Sequence, residues 1–454
     1  MAITHDYVSW ATGNDYKGAS FTDGAFTVAD MTLTKAGAFA ASKANHWLYL
    51  DDNGSGEVTT GYYLIASVTS ADAVVLAASP KSGANDPTDV VCTQHAGTTA
   101  LPWRSDQGAV DLLTRNTTDG NQVNVKAGNA VVHAAALDLA TFVAGGALAF
   151  ASPLILRGYT ATAGDGGIGE IDCGGASMFS SNAYDYIILA DLKIHSAGDN
   201  NIVDLDNFIS LIRCEVHKGA SSPNGKYLVT LDNNVQVIGC YLHDVGTSGL
   251  ALDCGQSSAI SFNYISANTA AVQVYASTGS CLTNNICLLN HAGAAGIYAD
   301  EPVLITMNVV YNIQNGTSYG IRAGCSSTNF GAICNNIACG FAGAGGKGIF
   351  VGVQIGFLGY NALWNNTTPV LITDQAFINQ TANDVTLAAD PFTDAANGDF
   401  SLTAAAKAAL ADKGWPTAYL GAHANTVPNL NIGPIQMAAS TGGGVNMPRV
   451  RVGH

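Results

Sequence analysis

Along the middle of the chain, aspartate recurs where short apolar segments end. Asp206, Asp232 and Asp253 close successive glycine- and valine-rich segments, and Tyr275, Asp300 and Gly324 stand at the equivalent places further on. Just before them, read onto the same side, come Asp204, Thr230, Ala251, Gln273, Tyr298, Arg322 and Phe350. If the segments stack, three carboxylates share one file. Two like charges 4 to 5 Å apart repel by roughly 3 to 4 kcal/mol at an effective dielectric of 20. Such a file calls for an offset: turn amides, a hydrated cation, a proton held on one member, or side chains splayed apart. Aspartate also ends strands simply by accepting backbone N–H bonds in a turn. Tyr275 and Tyr298 have the flat faces on which sugar rings stack, and Arg322 beside them is suited to orienting an anionic group.

A second file is His195, His217 and His243, with Ser266 next. Imidazoles bind transition metals or exchange protons near neutral pH. A parallel stack points all the donors the same way, however, which is poor geometry for a tetrahedral ion. These rings are expected as stacked surface residues, with no metal. The chain lacks an H-E-x-x-H pair and a phosphate-binding loop. No catalytic residue is assigned.

The elements that must position these files are repeats. Leu192-Lys193-Ile194-His195, Cys214-Glu215-Val216-His217, Cys240-Tyr241-Leu242-His243 and Asn263-Tyr264-Ile265-Ser266 open a series of tetrads continued from Asn285, Asn308, Asn336 and Asn361. Their first residues lie about 22 to 28 apart, the repeat length of a solenoid. Stacked coils lie about 4.8 Å apart, so the asparagines can bond up and down the stack and satisfy buried turn groups. The Asn file is therefore expected to be structural. Most of the 10 cysteines fall inside the coils. They are expected as free, buried thiols acting as small hydrophobes.

Charged residues make up 11% of the 454 and hydrophobic ones 48%, against about 25% charged in ordinary domains. The net charge of −16 opposes a phosphate-backbone partner, which needs clustered Lys and Arg. No apolar run is long enough for a membrane span, so neither nucleic acid nor membrane insertion is expected. Met1-Ala2-Ile3-Thr4-His5-Asp6 lacks the basic start and apolar run of a signal peptide, which predicts synthesis in a cytoplasm.

Three regions are expected. Residues 1–100 form a β-rich N-terminal domain suited to docking, with strands on either side of Ser70-Ala71-Asp72. Residues 101–424 are the solenoid and its caps, and residues 425–454 an extended tail. Within the second region, Ser105 can cap a helix over Asp106–Leu113, followed by Gln122-Val123-Asn124-Val125-Lys126-Ala127-Gly128 and Pro153-Leu154-Ile155-Leu156-Arg157-Gly158-Tyr159. This order, with Asp390-Pro391-Phe392 and Asn397-Gly398-Asp399-Phe400-Ser401-Leu402 at the far end, resembles the right-handed parallel β-helix repeat family, the pectate-lyase-like superfamily to which phage tailspikes are similar. The family's closing Ser-Pro-Ala is absent; Lys407-Ala408-Ala409-Leu410 stands there instead.

The resemblance implies an all-β, right-handed parallel β-helix. In that family a helix plugs the first coil, and carboxylate clusters bind Ca²⁺ in lyases or act as acid and base in hydrolases. Ca²⁺ at the Asp file is thus the one ion the resemblance raises; otherwise no cofactor is expected. The reading placed first is a non-catalytic phage virion protein of the tailspike, fibre or capsid-decoration type. It would be a homo-oligomer, a trimer by the spike resemblance, contacting other virion proteins and a host-surface glycan. Alternatives are a polysaccharide lyase or hydrolase using the Asp file, and a glycan-binding module without turnover. The face concerned is Asp206, Asp232, Asp253, Tyr275, Tyr298, Asp300 and Arg322.

Overall fold

In the computed structural model, the described residues run from 4 to 414 apart from short internal segments, the longest being 9–14, 93–104, 219–226 and 325–330. The chain is all-β, a parallel β-solenoid with a small closed barrel near its N-terminal end. It divides into two compact units, Met1–Gly198 with Asp204–Glu215, and Asp199–Val203 with Val216–His454. Its longest described helices have 7 residues, and none is long and apolar enough to cross a membrane. The expected tail, 425–454, lies outside the described residues, as does Asp300.

In the first unit, Phe21–Thr27, Thr32–Thr34, Ala73–Leu76, Gly61–Ser70, Trp47–Asp52 and Val90–Cys92 close the barrel. Alternation puts Phe26, Leu33, Leu48, Leu50, Ile65, Val74 and Leu76 in its core. The expected hairpin forms, Gly61–Ser70 pairing antiparallel with Ala73–Leu76. The first described strand, Thr4–Val8, does not join the barrel. It pairs in parallel with Asn121–Lys126, which pairs in turn with Leu154–Tyr159.

Buried polar groups tie the barrel to the helix Asp106–Leu112. Asp15 is fully buried and accepts N–H bonds from Trp47 and Ser105 at 2.9 Å and the Ser105 hydroxyl at 2.6 Å. Burial raises its pKa, opposed by His46 and these donors. Asp111 binds His46 Nε2 at 2.9 Å and Lys43 Nζ at 2.7 Å. Further on, Asp191 is clamped by Arg157 Nε at 3.0 Å and by Arg213 through Nε at 2.6 Å and Nη2 at 2.8 Å.

The second unit shows how a coil closes. Three parallel sheets run through it: the first includes Gln236–Ile238 and Ala259–Ser261, the second Tyr241–His243 and Tyr264–Ala267, and the third Val229–Leu231 and Leu252–Cys254. The corner before each tetrad is one residue in the left-handed region: Gly239, Phe262, Asn284, Met307, Asn335 and Tyr360 have φ between 57° and 67°. Only one of the six is glycine, and the conformation costs roughly 1–2 kcal/mol for an L-residue. The residue after each corner stabilises it. Asn263, Asn285, Asn308, Asn336 and Asn361 are buried, and each Oδ1 accepts the backbone N–H of its counterpart one coil earlier at 2.8 to 3.1 Å. Each Nδ2 donates to a first-sheet carbonyl, those of Val237, Ile260, Leu282, Ile305 and Ile333. The Asn file is thus a continuous structural ladder. The nine described cysteines are free thiols, eight of them buried.

The C-terminal segment covers part of the second sheet's outer face. The pair Phe392–Asp394 and Asp399–Leu402 and the helix Ala404–Leu410 set Phe392, Phe400, Leu402 and Leu410 against Tyr264, Leu288, Tyr311, Ile337 and Trp364. Tyr311 donates to Asp390 at 2.5 Å.

The ladder ends on a carboxylate. Asp384 Oδ1 accepts the Asn361 N–H at 2.8 Å, but its Oδ2 is buried with no partner among the described residues. Burial raises its pKa from 3.8 to about 6. Below pH 3.8 both folded and unfolded forms are protonated and the group is neutral to stability. Between 3.8 and 6 only the fold keeps the proton, so stability falls as pH rises, and above 6 the full penalty of about 3 kcal/mol is present. By register, Ile333 pairs with Leu358, so the carbonyl matching this rung is that of Leu358. Asp384→Asn supplies a neutral donor for it. The variant is expected to gain about 1–3 kcal/mol at pH 8 and little at pH 4. Urea denaturation across that range checks this; an unchanged pH slope would count against it.

Candidate functional site

The third sheet carries the predicted face, in a different register. Thr230 pairs with Asp253, Asp253 with Tyr275, Tyr275 with Tyr298, Tyr298 with Arg322, Arg322 with Phe350, and Phe350 with Leu371. The expected file of three carboxylates does not form. Val229 and Leu231 are matched by Leu252 and Cys254, not by Leu250 and Leu252, and a second slip falls at Ile297. Cys254, Ala276 and Ala299 are fully buried. Ala251 and Gln273, expected outward, are fully buried.

Asp253 is therefore set apart from Asp232. Asp206, in the first unit, accepts Asn207 Nδ2 at 2.6 Å. Asp232 is exposed and lies beside Gly255, whose N–H bonds to the Asp232 carbonyl at 2.9 Å. Asp253 sits in the file between Thr230 and Tyr275. Asp232 and Asp253 are diagonal neighbours, about 8 Å apart at Cα from the strand spacings. The turn role expected of aspartate is seen at Asp165, whose carboxylate accepts N–H bonds from Thr160, Ala161, Thr162 and Gly167. Those four amides hold its pKa well below the usual carboxylate range.

What the register does bring together is aromatic and cationic. Tyr275 and Tyr298 meet edge to face, centroids 5.4 Å apart. The Arg322 guanidinium carbon lies 4.4 Å from the Tyr298 centroid, 5.5 Å from Tyr319 and 5.8 Å from Phe350. Tyr319 and Phe350 are 5.0 Å apart, and Lys347 Nζ is 4.9 Å from the Tyr319 centroid. These distances fall within cation–π range. Gly324 and Gly352 leave room for the rings: an added Cβ would sit 3.1 Å from Tyr298 Cε2 and 3.1 Å from Phe350 Cε1 respectively.

Tyr319 and Lys347 were not among the predicted site residues, because each lies three residues before its neighbour on the outer face instead of two. In Tyr319–Ala323 and Lys347–Val351, the glycine and the isoleucine after it are both buried. A Cβ at Gly320 would meet Phe341 Cε2 at 2.9 Å, so glycine lets two successive positions face in. The signal was present: Ala295-Gly296-Ile297-Tyr298-Ala299, Tyr319-Gly320-Ile321-Arg322-Ala323 and Lys347-Gly348-Ile349-Phe350-Val351 align on Gly-Ile without a gap.

Arg322 differs from the clamped arginines of the first unit. Among the described residues it meets no hydrogen-bond acceptor and no carboxylate within ion-pair distance; its Nε is buried and unpartnered. Lys347 Nζ donates to the Gly345 carbonyl at 2.7 Å and likewise has no carboxylate partner among the described residues.

Of the histidine file, two rings of the second unit are seen to stack. His217 and His243 lie 4.7 Å apart at 15°, and Tyr241 lies 4.1 Å from His243 at 21°. Ring nitrogens of His217 and His243 nonetheless come within 4.8 Å of each other, close enough to share an ion. Glu215 shares a strand with His217, two residues earlier, so alternation puts both on one face. His243 Nδ1 is 2.8 Å from Asp244 Oδ2. In the first unit, His195 Nε2 and Lys193 Nζ reach Glu170 at 3.3 and 3.0 Å.

No protein-family profile matches the chain, and no curated protein does. Among solved structures, the crystal structure of the native GH136 lacto-N-biosidase from Eubacterium ramulus is similar at a TM-score of 0.42 and 12% identity. The similarity covers 64% of this chain and 66% of that one, just under two thirds of the enzyme's length.

Because Arg322 makes no hydrogen bond or ion pair with the described residues, removing its charge should leave the fold nearly as stable. The cation–π contacts contribute about 0.5–1 kcal/mol at such a site, and the unmet Nε–H offsets part of that. Arg322→Met is expected to unfold within about 1 kcal/mol of the parent chain in urea. A loss above about 3 kcal/mol would mean that the guanidinium holds the coils together.

Proposed function

We propose that this chain is a non-catalytic structural protein of a bacteriophage particle, of the tailspike, fibre or decoration type, whose solenoid presents the third sheet's outer face to glycan on a host surface. The observation that carries the reading is the file Tyr275, Tyr298, Arg322, Phe350, in register on consecutive strands. Strand spacing sets these side chains about 4.8 Å apart, on a backbone that cannot slide because each coil is pinned by the Asn ladder. A rigid row of half-exposed rings binds sugar faces with little ordering cost. The particle assignment is supported by the sequence resemblance to β-helix spikes and by the small closed barrel near the N-terminal end.

Cleavage is the second reading, favoured by one observation, the diagonal pair Asp232 and Asp253. Inverting glycosidases use two carboxyls far enough apart to admit a water between them, and these two lie on neighbouring coils of one sheet. The file itself holds a single carboxylate, Asp253, which favours binding over turnover.

Two measurements test these readings. Mass spectrometry of purified particles from the source phage should contain the chain; its absence would remove the virion role. On a glycan array, Tyr298→Ala should weaken the bound glycan about tenfold, equivalent to about 1.4 kcal/mol of lost stacking. Reducing or unsaturated ends released by the parent chain, and abolished in Asp253→Asn, would establish the enzyme instead.

A further inference from the structure

We infer that Arg322, with Lys347 beside it, selects an anionic substituent, a carboxylate or a sulfate, on the glycan held by the aromatic file. The inference rests on the proposed glycan-binding face and names what that face discriminates. A guanidinium has five N–H donors, and in folded chains these are normally used. Arg157 and Arg213 spend theirs on Asp191, and Arg115 bonds to the carbonyls of Asn116 and Ser152. Arg322 spends none on the described residues. It is held in place by ring faces alone, at 4.4 to 5.8 Å from three centroids.

Rings hold a cation without supplying an acceptor, so the guanidinium is oriented while its hydrogen-bonding capacity stays open. Only Nε is buried without a partner; the terminal nitrogens face solvent, where an incoming oxyanion can accept from two of them at once. Lys347 adds a second positive charge over the same Tyr319 ring, at 4.9 Å. In a chain of net charge −16, two cations side by side without carboxylate partners are the reverse of what general composition would place there. A sugar ring stacked on Tyr298 or Phe350 would bring its substituent to this pair. Gly324 keeps that arrangement open, since an added Cβ would lie 3.1 Å from Tyr298 Cε2 and 3.5 Å from Arg322 Nε.

The test uses the full chain with oligogalacturonate, oligomannuronate and hyaluronate fragments, each beside its carboxyl-reduced neutral form, and a sulfated galactan as the second anion. Binding is read by calorimetry in low and high salt for the parent chain, Arg322→Met, Arg322→Lys and Gly324→Ala, with urea denaturation as the folding control. The expected result is a preference of about tenfold or more for at least one acidic form over its neutral partner, weakening with salt. That preference should vanish in Arg322→Met and shrink in Arg322→Lys, which keeps the charge but not the paired donors. A carboxylate-only or sulfate-only preference identifies which anion is read. Equal binding of acidic and neutral forms, unchanged in Arg322→Met, overturns the inference and leaves the glycan-binding face standing. No binding by any probe overturns both.

Discussion

The hydrogen bond from each backbone N–H to the asparagine side chain one coil later is the constraint on which the second unit depends. A coil of this solenoid must turn sharply after every first-sheet strand, and it does so by putting one residue at positive φ. Phe262, Met307 and Tyr360 adopt this conformation despite their side chains. Nothing in those residues favours it. What holds the corner is the next position, where a buried amide accepts a backbone N–H of the preceding coil and donates to a carbonyl of that same coil. Each link therefore uses a polar group that would otherwise be stranded in the core. The links are serial, so a coil cannot shift along the stack without leaving several buried donors unmet at once.

That immobility is what turns a list of surface residues into a site. Strands on the third sheet carry only three to five residues, and their outer side chains make few contacts that could fix register unaided. Pinned at the Asn corner, each strand delivers its outward residue to the same place relative to the coil before it. Tyr298 reaches Arg322, and Arg322 reaches Phe350, because the ladder has already fixed Asn285, Asn308 and Asn336 on the opposite side of the coil. The glycines then shape the face. Gly296, Gly320 and Gly348 let two neighbouring positions point into the core, which moves Tyr319 and Lys347 outward alongside Arg322 and Phe350.

The solenoid was legible because its corner leaves a mark in residue type. Few side chains other than Asn and Cys recur at the position after the bend, and the spacing between them is the coil length. The site was only partly legible. A slip of one residue reverses every side chain and is betrayed at once by the apolar pattern. A slip of two keeps each residue on its own face, so Val229/Leu231 aligned as plausibly with Leu250/Leu252 as with Leu252/Cys254. Hydrophobicity could not choose between them, and a carboxylate file was drawn that the backbone does not make. Asp384 was hidden for another reason. It occupies an asparagine's rung with the wrong functional group, so an alignment by residue type passes over it.

Electrostatics gives the aromatic face its meaning. Elsewhere the chain neutralises a buried charge locally, as Arg157 and Arg213 do for the carboxylate of Asp191. Those pairs exist because a charge removed from water must be met by another or cost several kcal/mol. Arg322 is only partly withdrawn from water, and its ring partners offer attraction without accepting a proton. The arrangement is a compromise between burial and exposure: enough contact to fix the plane of the guanidinium, too little to satisfy it. A residue serving the fold alone would gain by acquiring an acceptor from its own chain, and the neighbouring strand positions, Tyr298 and Phe350, are where such an acceptor would stand. They are aromatic instead. The face thus keeps a positive charge oriented by rings, with no acceptor for it among the described residues.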